Sequence, residues 1–206
     1  MRYNSARQMI FDAYRMTGDS VMAGAIDRAR LGNVVQATQK QNNDWRIVHG
    51  LEAGAVISRV EALPVHLKAM ALYCYGPLTR EERGEYLDEI QVALYRELLA
   101  DGIRLPGQGR GKPSQKQLNQ FYWLCRAAAY HYAETTWPYS RSGLPTPKAV
   151  QRFMLEDYGV DVEVRDWARK DRSAWGGIWA RILACLDTLD NRCLGVVAQL
   201  MYAEAA

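Results

Sequence analysis

The chain has 206 residues and a mass of 23.4 kDa, with 49% hydrophobic and 24% charged residues. That balance excludes a disordered or fibrous chain, and a chain of this length buries a core without disulfide or metal staples. With a net charge of +3 and a pI near 8.7, it is only mildly basic, so charge acts through its distribution.

Residues 3–16 predict a first amphipathic helix, with Tyr3, Ile10, Phe11 and Tyr14 apolar. From 21 to about 60 the chain is helix-compatible but rich in Gly and Asn, which predicts two or three helices with indefinite ends. Pro64 suits the first turn of a helix running to Tyr75, and Gly76-Pro77 stops it. Thr79 with Glu82 forms a capping box opening a helix that buries Leu87, Ile90, Leu94 and Leu98 and ends at Asp101-Gly102. A second box, Ser114 with Gln117, opens a helix presenting Leu118, Phe121, Tyr122, Cys125, Ala129 and Tyr132, which Trp137-Pro138 ends.

Between these two helices, residues 104–116 carry Arg104, Arg110, Lys112 and Lys116, three glycines, two prolines and no acid. This composition predicts a flexible basic loop outside the core. It is not a phosphate-binding Walker loop. Gly107 and Gly111 are one residue too close, Pro113 follows Lys112, and a helix precedes the loop.

Residues 135–145 predict a connector between an N-terminal helical region, 1–134, and a C-terminal region, 146–206. Thr146 caps a helix with Pro147 at its first position and Val150, Phe153, Met154 and Tyr158 apolar; Gly159 closes it. A short second helix is expected over Val162–Lys170. From Asp171 or Ser173 as cap, Trp175, Ile178, Trp179, Ile182, Leu183, Leu186 and Leu189 hold one face, and Leu194, Val197, Leu200 and Met201 continue as a last helix. The fold class is all-α: a multi-helix body with a C-terminal helix-turn-helix-like DNA-binding region.

Charge is polarised along the chain. Residues 79–101 hold seven acids against three bases, a local charge of −4, and residues 102–152 hold eight bases against one acid, +7. This is the footprint of a nucleic-acid or anionic-protein contact. The helix 147–158, the Gly159 turn and the basic segment after it have helix-turn-helix proportions. On that reading Lys148, Arg152, Arg165, Arg169, Lys170 and Arg172 contact DNA, because the arginine fork suits guanine edges and phosphates. Asp161, Glu163, Asp166 and Asp171 interleave with them and oppose non-specific phosphate attraction. Trp175 and Trp179 read as core; Trp123 and Trp137 flank the basic region, where they are placed to stack on bases, with helix packing the favoured role of Trp123.

Catalytic and metal patterns are absent from the sequence. Cys74, Cys125, Cys185 and Cys193 stand in no C-x-x-C spacing, and His49, His66 and His131 are scattered, whereas zinc needs converging ligands. The expectation is buried reduced thiols in a cytoplasmic protein that is not an enzyme and takes no cofactor. No run of signal-peptide length opens the chain, and none approaches the ~20 apolar residues of a membrane span.

The segment RDWARKDRSAWGGIWARILACLDTLDNRCLGVVAQLM carries D-W-A-R at 166–169, D-R-x-x-W at 171–175 and L-D-x-L-D-x-R at 186–192. With these elements the chain resembles the late-gene antiterminators of phages, the Q class, most strongly over about 145–203. Some members carry a cysteine-rich zinc insertion; this chain has none, so no metal is implied. The resemblance implies binding to a double-stranded DNA element near a late promoter, loading onto paused RNA polymerase with its sigma factor, and remodelling of the RNA exit channel so that terminators are read through. The charge of the loop, and its poverty in apolar residues, suggest in addition that Arg104, Arg110, Lys112 and Lys116 face the polymerase channel or nascent RNA. The competing readings are a promoter-bound activator or repressor without antitermination, and a packaging adaptor like a phage small terminase subunit.

Overall fold

The computed structural model describes residues 5–15, 44–169 and 174–203. Among these, seven helices supply the regular structure and no strand is present. They are α1 (residues 6–15), α2 (Asp44–Glu61), α3 (Val65–Tyr75), α4 (Arg80–Ala100), α5 (Gln115–Thr135), α6 (Pro147–Tyr158) and α7 (Trp175–Ala203). No described helix is long and apolar enough to cross a membrane. The expectations for Tyr3 and for residues 21–43 lie outside the described residues, as do the caps Asp171 and Ser173.

Local chemistry sets the helix ends. Thr79 Oγ1 accepts from Glu82 N at 3.4 Å while the Glu82 carboxylate accepts from Thr79 N at 2.9 Å, and Ser114 and Gln117 make the same reciprocal pair. Thr146 Oγ1 accepts from Ala149 N, with Pro147 at the first helical position. Gly159, at φ 66°, ends α6 in a left-handed turn that lets Val160 N reach Met154 O.

α3 is buried along nearly its whole length because α4 and α7 both pack on it; α5 packs against α4, α6 and α7. Ile10 of α1, Val56 of α2, Leu94 of α4, Phe121 of α5, Met154 of α6 and Leu186 of α7 belong to one hydrophobic cluster. The 135–145 connector therefore joins segments that share a core. It is itself fastened, with Arg141 on the buried Glu134 at 3.0 Å and Leu144 N donating to His131 Nδ1 at 2.9 Å.

Three sequence expectations are corrected. The two C-terminal helices are one: α7 runs unbroken for 29 residues, because it contains no proline and Leu186, Leu189, Cys193 and Val197 carry its buried face through the expected break. The 104–116 loop is not wholly outside the core, since Leu105 is 2% exposed and anchors its first turn. Most consequentially, the second helix expected over 162–170 does not form among the described residues 160–169: the chain has no regular structure to 164 and turns over 165–168. The physical reason lies in the run Val160-Asp161-Val162-Glu163-Val164. Its β-branched residues alternate with acids, so an extended segment buries Val160 and Val162 while Asp161 and Glu163 face water.

Candidate nucleic-acid interface

The interface candidates fall on two segments that α5 and α7 bring together. The first is the basic loop. Leu105 N donates to Gln108 Oε1 at 2.9 Å, Gln108 Nε2 to Gly111 O at 2.9 Å, and Gln117 Nε2, one turn into α5, to Pro106 O at 2.8 Å. These bonds satisfy the backbone of a glycine-rich turn that has no helix or sheet to do so. Arg104 donates to Gly109 O at 3.2 Å, while Arg110, Lys112 and Lys116 are exposed.

The second is the segment from α6 to the start of α7. Asp161 is held by two glutamines: Gln120 Nε2 of α5 donates to its carbonyl at 2.7 Å, and Gln151 Nε2 of α6 to its carboxylate at 2.8 Å. Trp167 rests 5.9 Å from Trp179, centroid to centroid. Its carbonyl lies so close over the first turn of α7 that a Cβ on Gly176 would come within 1.8 Å of it. Gly176 is thus the residue that lets the 165–169 turn dock on α7.

The two segments face each other across a cleft of about 500 Å³. Pro106, Gly107, Lys116 and Gln117 line the loop side, Asp161, Glu163 and Asp166 the opposite side, with Ala174 and Trp175 between. Lys116 is the one cation among the lining residues.

Of the residues read as DNA contacts, Lys148, Arg152, Arg165 and Arg169 are all exposed. Lys170 and Arg172 lie outside the described residues. Each of the three arginines sits beside an acid close in sequence: Arg152 on Glu156 at 2.9 Å, Arg165 near Glu163 at 3.8 Å, and Arg169 near Asp166 at 3.5 Å. Exposed pairs of this kind contribute ~0.2–1 kcal/mol, so they hold the three arginines weakly and leave their guanidinium groups at the surface. Arg126, counted among the bases of 102–152, is no part of this surface. It is sequestered between Asp88, Gln91 Oε1 at 3.0 Å and Tyr158 OH at 2.9 Å.

The aromatic residues go to structure. Trp123 stacks on Tyr158 at 4.2 Å and 18°, and Trp175 and Trp179 are buried. Cys74, Cys125 and Cys193 are buried, Cys185 is half-buried, and all four are free thiols; burial pushes Cys185 up to about 11 and Cys193 to about 12. No group of metal-ligating side chains converges among the described residues.

A feature the sequence reading missed is a buried carboxylate. Asp190 of α7, 1% exposed, accepts from Tyr75 OH at 2.7 Å, Arg7 Nη2 at 3.0 Å and Tyr132 OH at 3.1 Å. It joins α1, α3 and α5 to α7. Burial, with the nearby carboxylate, raises both tyrosines well above the usual phenol range. The L-D-x-L-D-x-R element at 186–192 thus has a structural role through its second aspartate. The signal was present: Asp190 stands four residues after Leu186 and three before Cys193, at a position of the α7 face where an apolar residue is due.

The chain gives no match to protein-family models, to curated proteins or to solved structures.

Proposed function

We propose that this protein is a transcription antitermination factor of the phage late-gene type, which binds a promoter-proximal DNA element, loads onto paused RNA polymerase and acts at its RNA exit channel without catalysis of its own. The observation that carries this reading is that Arg110, Lys112 and Lys116 on the loop and Lys148, Arg152, Arg165 and Arg169 on α6 and the turn are all exposed; the cleft between loop and turn, with Lys116 against Asp161, Glu163 and Asp166, is not itself assigned to nucleic acid. Lys148 and Arg152 on α6, with Arg165 and Arg169 on the turn, contact DNA; Lys170 and Arg172 belong to the same reading. Without a second helix over 160–169, DNA is met by a helix and a turn, an arrangement that favours phosphates and one or two base edges over a full groove-reading helix. Arg104, Arg110, Lys112 and Lys116 supply the polymerase or RNA contact.

The test is binding to promoter-proximal DNA across a salt series. Arg165→Ala/Arg169→Ala is expected to weaken binding by ~1–3 kcal/mol per guanine-reading arginine, or to reduce the salt slope by about one unit per lost phosphate contact. Parental affinity and slope in that variant would remove the turn from the interface.

A further inference from the structure

On the flank formed by α3 and α4 the surface changes character. Val65, in the first turn of α3, is 66% exposed, one of the large apolar side chains that the fold leaves in water. It borders a groove of about 340 Å³ lined by Val65, His66, Glu89, Val92, Ala93 and Arg96, with Glu97 at its end. Leading into this groove, Glu82, Glu85 and Glu89 follow one another at i, i+3 and i+7 along α4, all exposed. Glu82 is committed to its capping box, which leaves Glu89 and Glu97 as the acids that line the groove against the cation Arg96, with Glu85 one turn before Glu89 outside it. Lys68 of the neighbouring helix is already paired with Glu61 and does not neutralise them.

An apolar floor beside carboxylates does not fit nucleic acid, which the acids repel. It also does not fit the basic loop of a second copy, whose apolar residues Leu105 and Pro106 are buried in their own chain. It fits a protein segment that offers both an aliphatic anchor and flanking cations. We propose that the α3–α4 groove docks a basic amphipathic helix of a partner protein, its aliphatic side chain against Val65, Val92 and Ala93 and its cations on Glu85 and Glu89. This mode, a helix laid into a groove with apolar anchors and charge-matched flanks, uses the recognition physics of other helix-in-groove complexes. It is independent of the nucleic-acid surface, which lies on other elements.

The probe is a labelled synthetic amphipathic helix with leucines on one face and arginines on its flanks, titrated with the full chain by fluorescence anisotropy in the absence of nucleic acid. Burying an aliphatic side chain against an exposed valine predicts that Val65→Ser weakens binding about ten-fold. Glu85→Gln/Glu89→Gln is expected to weaken it several-fold and to flatten its salt dependence. All three positions are exposed or at the surface, so both variants keep the fold. Leu155→Ser, at a 51% exposed leucine on α6, is expected to leave the affinity unchanged. The proposal is overturned if the parent does not bind the probe or if Val65→Ser binds as the parent does, because attraction to the acids alone then accounts for any affinity. An equal loss in Leu155→Ser overturns it as well.

Discussion

Removing the Asp190 carboxylate perturbs the fold at the point where four helices meet. The group is 1% exposed and accepts hydrogen bonds from two phenols and Arg7, with a long fourth contact from the Cys193 thiol at 3.9 Å. A hydrogen bond to a charged acceptor contributes ~1.5–3 kcal/mol, and Arg7, whose side chain is 38% exposed, contributes at the low end because water screens it. Against these gains stands the desolvation of the carboxylate, which disappears with it. The uncompensated part is chiefly Tyr75, buried and left without its acceptor, while Tyr132 is half-buried and Arg7 is partly in water. A buried polar group left without its partner costs ~1–3 kcal/mol, and over the bonds lost together the sum reaches ~3–5 kcal/mol, a large share of the ~5–15 kcal/mol that stabilises a domain. Asp190→Ala is therefore expected to lower the unfolding free energy by ~3–5 kcal/mol in urea titrations followed by circular dichroism. Asp190→Asn, whose carbonyl still accepts one bond, is expected to lose about half as much. Combining Tyr75→Phe with Asp190→Asn should show a coupling of ~0.5–3 kcal/mol, as expected for residues in one network. A loss below ~1 kcal/mol in Asp190→Ala, with an unchanged dependence on denaturant, would refute the assignment of Asp190 as the tie between these helices.

Three further outcomes follow from the same geometry. Gly176→Ala drives a methyl into the Trp167 carbonyl, so the 165–169 turn must lift from α7; a loss of ~1–3 kcal/mol in thermal or urea unfolding, with weaker DNA binding, is expected. His131 is held below its ordinary value of 6.5 by burial and accepts from Leu144 N, so the fold favours the neutral ring. The unfolded chain takes up the proton first, and stability is lost as pH falls from 6.5 through the lower folded value; the melting-temperature advantage of the parent over His131→Asn should shrink between pH 7.5 and 5.5. Arg110→Ala/Lys112→Ala, at exposed loop positions, should leave stability within about 0.5 kcal/mol and promoter DNA binding intact while reducing terminator readthrough.

What the sequence revealed was local. The capping boxes at Thr79 and Ser114, the Thr146-Pro147 start and the Gly159 stop each involve residues within a few positions of one another, and each stands where the spacing predicts. The burial of Trp175, Trp179, Ile182 and Leu186 followed from a 3.6-residue period sustained over several turns. What escaped was the non-local part. Asp190 meets Arg7 and Tyr75 across 183 and 115 residues, separations at which no spacing rule operates. The Val160–Val164 alternation was legible as extended chain, but the glycine turn before it and the arginines after it suggested a helix. For the site, the exposed cations were found as residues, yet the placement of the 161–169 segment that carries Arg165 and Arg169 depends on Gln120 of α5 reaching Asp161 and on Gly176 admitting Trp167. Neither contact has a sequence signature.

The measurement that tests the central proposal most directly is transcription in vitro from a late promoter through an intrinsic terminator, with and without the purified protein. The account predicts that readthrough rises only when the promoter-proximal DNA element is present, and that Arg165→Ala/Arg169→Ala abolishes the rise by preventing loading. Increased initiation with unchanged termination would contradict it in favour of a promoter-bound regulator. No change in either, together with a stable ring in solution, would point to a packaging adaptor.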